Sequence, residues 1–236
     1  MKKQDFFEGI RDGIPICLGY FSVSMAFGLT SVLSGLPAWS AVLISLTNLT
    51  SAGQFAGVNV LLALGSLIEL AVTTLIINMR YFLMSLAISQ KVDSSMTLAQ
   101  RFALSFAITD EVFAVSMQRK KKLTAEYLAG LMLTPPIGWT GGTIVGALAT
   151  SVMPPSISSA LGIALYAMFI AIILPPARTD KKIMLTVIMA VAASCIFTYA
   201  PILRDISSGW TIIIITLAVS ALAASLFPVE EDGEEV

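Results

Sequence analysis

From Gly13 to Ile68 the chain runs through 56 residues without one Asp, Glu, Lys or Arg. A helix needs about 20 apolar residues to cross the hydrocarbon layer, so this run holds more than one membrane-embedded segment. A second uncharged run, Tyr127 to Ala177, has room for two more. Only 12% of the 236 residues are charged, about half the share in a soluble domain. The expected class is therefore an all-α polytopic membrane protein, one transporter-type domain over residues 1–236, with about eight transmembrane helices.

The expected spans follow the apolar runs. Helix 1 covers Ile14–Leu33 and ends at Ser34-Gly35-Leu36-Pro37; helix 2 covers Trp39–Ala56; helix 3 runs from Val58 to Ser89. Helix 4 is shorter, Phe102–Met117, and Arg119-Lys120-Lys121-Lys122 ends it. Helices 5 and 6 divide at Met153-Pro154-Pro155, the sixth ending at Pro175-Pro176. Helices 7 and 8 cover Ile183–Tyr199 and Gly209–Phe227, before an acidic tail. Basic residues in short loops stay cytoplasmic. With eight spans the inner side holds Lys2, Lys3, Arg11, Arg119 to Lys122, Arg178, Lys181 and Lys182, against Lys91, Arg101 and Arg204 outside. Both termini are then cytoplasmic, in the plasma membrane, provided helix 2 crosses. The mixed-charge N-terminus lacks the short apolar core and cleavage site of a secretory signal.

Inside the first run, Leu49-Thr50-Ser51-Ala52-Gly53-Gln54-Phe55-Ala56-Gly57 turns small, polar and glycine-rich. A weak helix at membrane depth is tolerable only where it faces protein or a wet cavity. Such a break offers polar backbone and a half-helix dipole to a small solute. Thr134-Pro135-Pro136-Ile137-Gly138-Trp139-Thr140-Gly141-Gly142 is expected to interrupt helix 5 in the same way. Arg11 lies 40 positions before Ser51, and Arg101 lies 40 before Gly141. Each interval joins the basic edge of one helix to a break in the next, which suggests an inverted 3+3 repeat of residues 9–90 and 99–178, with helices 7 and 8 (183–228) appended.

Several polar residues lie within the spans. Glu69, Thr73 and Arg80 fall on one stripe of helix 3, with Glu69 and Arg80 about 16 Å apart along the axis. A charge near the bilayer centre costs at least about 2.5–3.5 kcal/mol and needs a partner or water. Arg80 reads equally as a path-lining group or as a clamp on carbonyls; Glu69 reads as a proton carrier or as a buried neutral acid. Thr109-Asp110-Glu111 is the sharpest constellation: adjacent acids point about 100° apart, so at most one faces a given cavity. They are candidates to carry a proton or hold an ammonium, or to pair with Arg80 or Arg101 and keep helices in register. Gln54 and Asn78 are uncharged donors and acceptors that could equally glue helices together. The chain has no histidine, which removes serine–histidine dyads, histidine-ligated haem and the usual zinc sites. Cys17 and Cys195 have no metal or redox spacing. No cofactor, metal or nucleic-acid partner is expected, and an intramembrane enzyme ranks below transport.

Gly13-Ile14-Pro15 leading to Ala26-Phe27-Gly28, then Ser51-Ala52-Gly53-Gln54-Phe55-Ala56, Asn78-Met79-Arg80-Tyr81 and Thr109-Asp110-Glu111-Val112-Phe113, resemble the AzlC family in order and spacing. The resemblance implies the large subunit of a branched-chain amino-acid exporter with a small AzlD-type membrane partner. The expected substrate site comprises Ser51, Gly53, Gln54, Asn78, Arg80, Thr109, Asp110, Glu111, Thr140 and Gly141. The carboxylate would sit at the Ser51–Gln54 or Thr140–Gly142 break with Arg80, and the ammonium at Asp110 or Glu111. Glu69, Asp110 and Glu111 are the proton-coupling candidates. A passive pore whose glycine breaks form a filter is the alternative.

Overall fold

A computed structural model describes residues 2–151, 170, 173–203 and 205–228. Every regular element among the described residues is helical. The helices are α1 (Lys2–Leu33), α2 (Ala38–Thr47), α3 (Ala52–Leu62), α4 (Leu67–Lys91), α5 (Leu98–Ser105), α6 (Asp110–Gln118), α7 (Ala125–Leu148), α8 (Lys181–Tyr199) and α9 (Ser208–Leu226). Residues 173–179 are also helical. Among the described residues four helices, α1, α4, α8 and α9, are long and apolar enough to cross a membrane. The expected boundary at Met153-Pro154-Pro155 and the acidic tail lie outside the described residues. Two compact units divide the chain: Met1–Val58 with Ile77–Tyr166, and Asn59–Ile76 with Ala167–Val236.

In the first unit α1 and α7 lie side by side and parallel. Gly9 of α1 meets the backbone of Tyr127 and Leu131, Gly138 meets Cys17, Gly142 meets Phe21, and Gly146 meets Met25. The numbers rise together along both helices, which only a parallel pair allows. A Cβ on Gly138 would lie 2.9 Å from Cys17 Cα, and one on Gly146 2.8 Å from the Met25 carbonyl carbon. Glycine is required there because backbones approach closely, the small-residue packing that holds membrane helices together.

This corrects the expected break in helix 5. Thr134 to Gly142 is continuous helix within α7, although Pro135 and Pro136 lie inside it. Gly138 and Gly142 of that stretch serve close approach to α1, and proline inside a membrane helix is tolerated when neighbours re-satisfy the freed backbone. Thr140 and Gly141 therefore flank no break, and the 40-position alignment of Ser51 with Gly141 does not match the fold. Gly28 packs against Thr143 and Ala147 as a close-approach residue, whereas nothing lies within 4 Å of the Cβ direction of Gly19.

The interruptions fall elsewhere, and both are hairpins. Ser45 on α2 is hydrogen bonded to Gln54 on α3, and Phe27, Ala41 and Val58 share one buried cluster. In a straight helix Ala41 and Val58 would be about 25 Å apart, beyond the reach of one phenylalanine. The expected helix 2 thus folds back at Asn48–Ser51, and α3 takes the start of the expected helix 3. Helix 4 is corrected likewise. The α5 arm begins beside the start of α7, where Gln100, Ala125 and Phe6 line one cavity. At its far end Asp110 meets Arg80 and Glu111 meets Tyr20. The α6 arm then returns, so that Arg119 pairs with Asp5 at 3.1 Å and Glu8 at 3.2 Å. Short arms explain why neither hairpin spans: ten residues in α2 and nine in α6 reach about 15 Å, half a hydrocarbon layer.

The two tips meet. Leu49 of the first and Ala107 and Ile108 of the second share a core with Tyr20, Trp139 and Val112. Tyr20 is close to the middle of α1, and its ring stacks edge-on against Trp139 at 5.4 Å.

In the second unit Glu69, 5% exposed, faces the start of α9. Ser207 Oγ donates to its carboxylate, and its own backbone N–H donates to Ser66 Oγ at 3.1 Å. A Cβ on Gly209 would lie 2.8 Å from Glu69 Cγ and 2.9 Å from Thr73 Oγ1. An acid at a helix N-terminus complements the partial positive charge there.

Candidate functional site

The site is built where the tips meet, from three elements of the first unit. At the first tip α2 ends in Asn48, whose Oδ1 accepts from Thr50 N at 3.0 Å. Ser51 then takes φ +46°, a left-handed conformation rare outside glycine, and α3 starts at Ala52. A Cβ on Gly53 would strike the Thr50 side chain and lie 3.1 Å from Asn78 Oδ1 on α4. Around this turn Thr50 Oγ1, Ser51 Oγ, Gln54 Oε1 and Asn78 Oδ1 are buried with no hydrogen-bond partner among the described residues. A buried polar atom left unmatched costs about 1–3 kcal/mol, and a cluster of them calls for an occupant.

At the second tip Thr109 caps α6, its hydroxyl accepting from Val112 N at 3.5 Å, and is 2% exposed. Asp110 and Glu111 occupy the first turn of α6, where the helix dipole favours negative charge. They diverge as two successive helical residues must. Asp110 pairs with Arg80 at 2.9 Å, and Glu111 receives the Tyr20 hydroxyl. Arg80 also reaches Tyr81 OH at 3.4 Å and lies over that ring, while its Nε stays buried and unpartnered. The Arg80 and Asp110 side chains are 40% and 29% exposed, so the pair stays within reach of an incoming group.

Of the expected site residues, Ser51, Gly53, Gln54 and Asn78 gather at the first tip, and Arg80, Thr109, Asp110 and Glu111 at the second. Thr140 is half-buried on α7, and Gly141 faces the Phe21 ring, whose nearest atoms lie at 3.8 Å. Glu69 is engaged by Ser207 within the second unit. Sequence reasoning missed Tyr20, Ser45, Trp139 and Thr143. Their one signal was a hydroxyl or indole within an apolar helix; the three hydroxyls are hydrogen bonded, whereas Trp139 Nε1 is buried without a partner among the described residues.

The family model AzlC protein matches residues 15–153, which include both hairpins. The chain belongs to the AzlC family. It is 26% identical to the Inner membrane protein YgaZ of Escherichia coli over 77% of each chain. It is 33% identical to an uncharacterized membrane protein of Archaeoglobus fulgidus, over 74% of this chain and 77% of the relative. An uncharacterized membrane protein of Helicobacter pylori is 28% identical, over 62% of this chain and 67% of the relative. No solved structure matches. With these relatives and its apolar helices, the AzlC chain is a membrane protein.

Proposed function

We propose that this AzlC-family chain is a secondary transporter that exports branched-chain or related small apolar amino acids across the plasma membrane, coupled to protons, together with a small AzlD-type subunit. The observation that carries this reading is the Arg80–Asp110 pair at the meeting point of two hairpin tips. An opposite-charge pair that holds itself closed can exchange its internal contacts for a zwitterion, which brings one charge of each sign. Arg80 would take the substrate carboxylate, and the released Asp110 would carry a proton. The apolar side chain would rest among residues such as Leu49, Ile108 and Val112, which already form the core at the tips.

The same reading sets both termini in the cytoplasm. The basic residues Arg11, Lys91 and Arg119 to Lys122 gather at the end of the first unit where α1 begins, since Lys91 Nζ reaches Met117 O at 2.7 Å and Arg119 reaches Asp5. Lys91 thereby moves from the expected outer side to the inner one. Replacing two expected crossings by two hairpins removes an even number of crossings, so the orientation of everything after them is unchanged.

Leucine efflux from loaded cells tests the proposal. Asp110→Asn and Glu111→Gln, made separately, should each slow efflux, Asp110→Asn by tenfold or more; wild-type rates in both reject the carboxylate role. Saturable counter-flow of labelled leucine in vesicles is expected of this carrier, and its absence favours a pore.

A further inference from the structure

The orientation of one buried amide follows from a chain of hydrogen bonds that runs from α7 to the first hairpin. Thr143 Oγ1 donates its only proton to Trp139 O at 3.0 Å, because a carbonyl cannot donate. In the contact between Ser45 Oγ and Thr143 Oγ1, 2.7 Å, the threonine oxygen must therefore accept, and Ser45 spends its only proton there. Ser45 Oγ is then left as an acceptor. Its contact with Gln54 at 3.2 Å can be made only by the amide nitrogen, Nε2. All four side chains or carbonyls are buried, and Gln54 is 2% exposed. The ambiguity that attends most glutamine amides is removed here by proton count.

The consequence lies at the other end of the amide. Gln54 Oε1 is held as an acceptor, buried and without a partner among the described residues, with Asn78 Oδ1 and the Thr50 and Ser51 hydroxyls likewise unmatched around it. At the start of α3, Gly53 N donates to Thr50 O at 3.2 Å and Phe55 N to Ser51 O at 3.1 Å. We infer that the first hairpin tip reads the ammonium end of the substrate, with Gln54 Oε1 as a specificity-determining acceptor held in place by Ser45 and Thr143. This rests on the transport reading above and reverses the polarity expected from sequence, in which the same tip received the carboxylate. An ammonium brings three donors and no acceptor, which matches unsatisfied oxygens and leaves Arg80 for the carboxylate.

The test uses the purified full chain and thermal stabilisation by four probes: leucine, 3-methylbutylamine (leucine without its carboxylate), 4-methylpentanoate (leucine without its ammonium) and sodium chloride in place of choline chloride. In the wild type, leucine and the amine should stabilise, the amine binding at least tenfold tighter than the acid. Gln54→Met should lose at least tenfold in affinity for leucine and the amine. Ser45→Ala and Thr143→Val leave Gln54 in place but free its amide to rotate, so the amine-to-acid preference should shrink by about threefold or more while the unliganded melting temperature marks folding. Leucine binding with wild-type preference in Gln54→Met, or protection by the acid and not the amine, overturns this inference and leaves the transport reading standing. Stabilisation by sodium alone overturns it in favour of an ion site. Failure of every probe on the wild type overturns this inference, whereas the transport reading falls only if leucine efflux and counter-flow fail.

Discussion

Gly138 and Gly141 lie three residues apart on α7 and should respond oppositely to the same substitution. An alanine at 138 would put its Cβ 2.9 Å from Cys17 Cα, with backbone as the obstacle on every side. The Cys17 carbonyl oxygen is nearer still, and non-bonded heavy atoms pack best at about 3.5–4.0 Å, so α1 or α7 must shift by at least about 1 Å. Overpacking costs about 1–3 kcal/mol, and the upper end applies because backbone cannot rotate away. Alanine regains about 1 kcal/mol over glycine in helix propensity, leaving Gly138→Ala destabilised by about 2 kcal/mol. At 141 the nearest atoms belong to the Phe21 ring at 3.8 Å, an ordinary contact. Gly141→Ala should therefore gain up to about 1 kcal/mol, a gap of about 3 kcal/mol between neighbours. Unfolding by dodecyl sulfate in mixed micelles, followed by far-UV circular dichroism, measures both. If Gly141→Ala loses as much as Gly138→Ala, α7 is interrupted at Gly141 and the parallel α1–α7 packing is wrong.

Other expectations come from single contacts. Arg80→Asp and Asp110→Arg should each abolish leucine efflux, whereas the double exchange should recover part of it; the half-exposed pair should shift stability by only about 0–1 kcal/mol, read from the same unfolding curves. Arg119 is 6% exposed between Asp5 and Glu8 and stacks on Tyr127, so Arg119→Ala should cost about 3 kcal/mol and loosen the base of α6, measured by faster amide exchange in α5 and α6. Glu69→Ala strands Ser207 and should destabilise by about 1–3 kcal/mol, while Glu69→Gln keeps an acceptor and should cost less. Asp93, in the loop between α4 and α5, accepts from Ser95 Oγ at 2.6 Å and Ser95 N at 2.9 Å, and these bonds hold its carboxyl below the ordinary 3.8. A lowered folded value means the stabilisation is present above the unfolded value and lost as pH falls through the folded one; Ser95 amide exchange should accelerate only there.

Sequence alone determined that the chain is helical and lives in a membrane, because charge density and uncharged run length act residue by residue and need no partner. It also made the first interruption legible, since Asn48 to Gly53 offers poor helix formers in an otherwise apolar run, and it named both acids of the second tip. What tertiary structure decided was the use made of each weak stretch. The prolines and glycines of α7 read as a break, yet the helix is continuous and Gly138 and Gly142 pack against α1, because a glycine suits an unwound turn and a close backbone approach equally well. The α5–α6 interruption was hidden, since Phe106 to Thr109 carries no glycine or proline, and only the burial of its tip against Leu49 and Tyr20 explains it. Whether an interrupted segment crosses or doubles back depends on which arms touch, and that is a property of long-range contacts. For the same reason the direction of the Gln54 amide was beyond any reading of composition or spacing: it is set by Ser45, Thr143 and Trp139, two of which lie about ninety residues further along the chain.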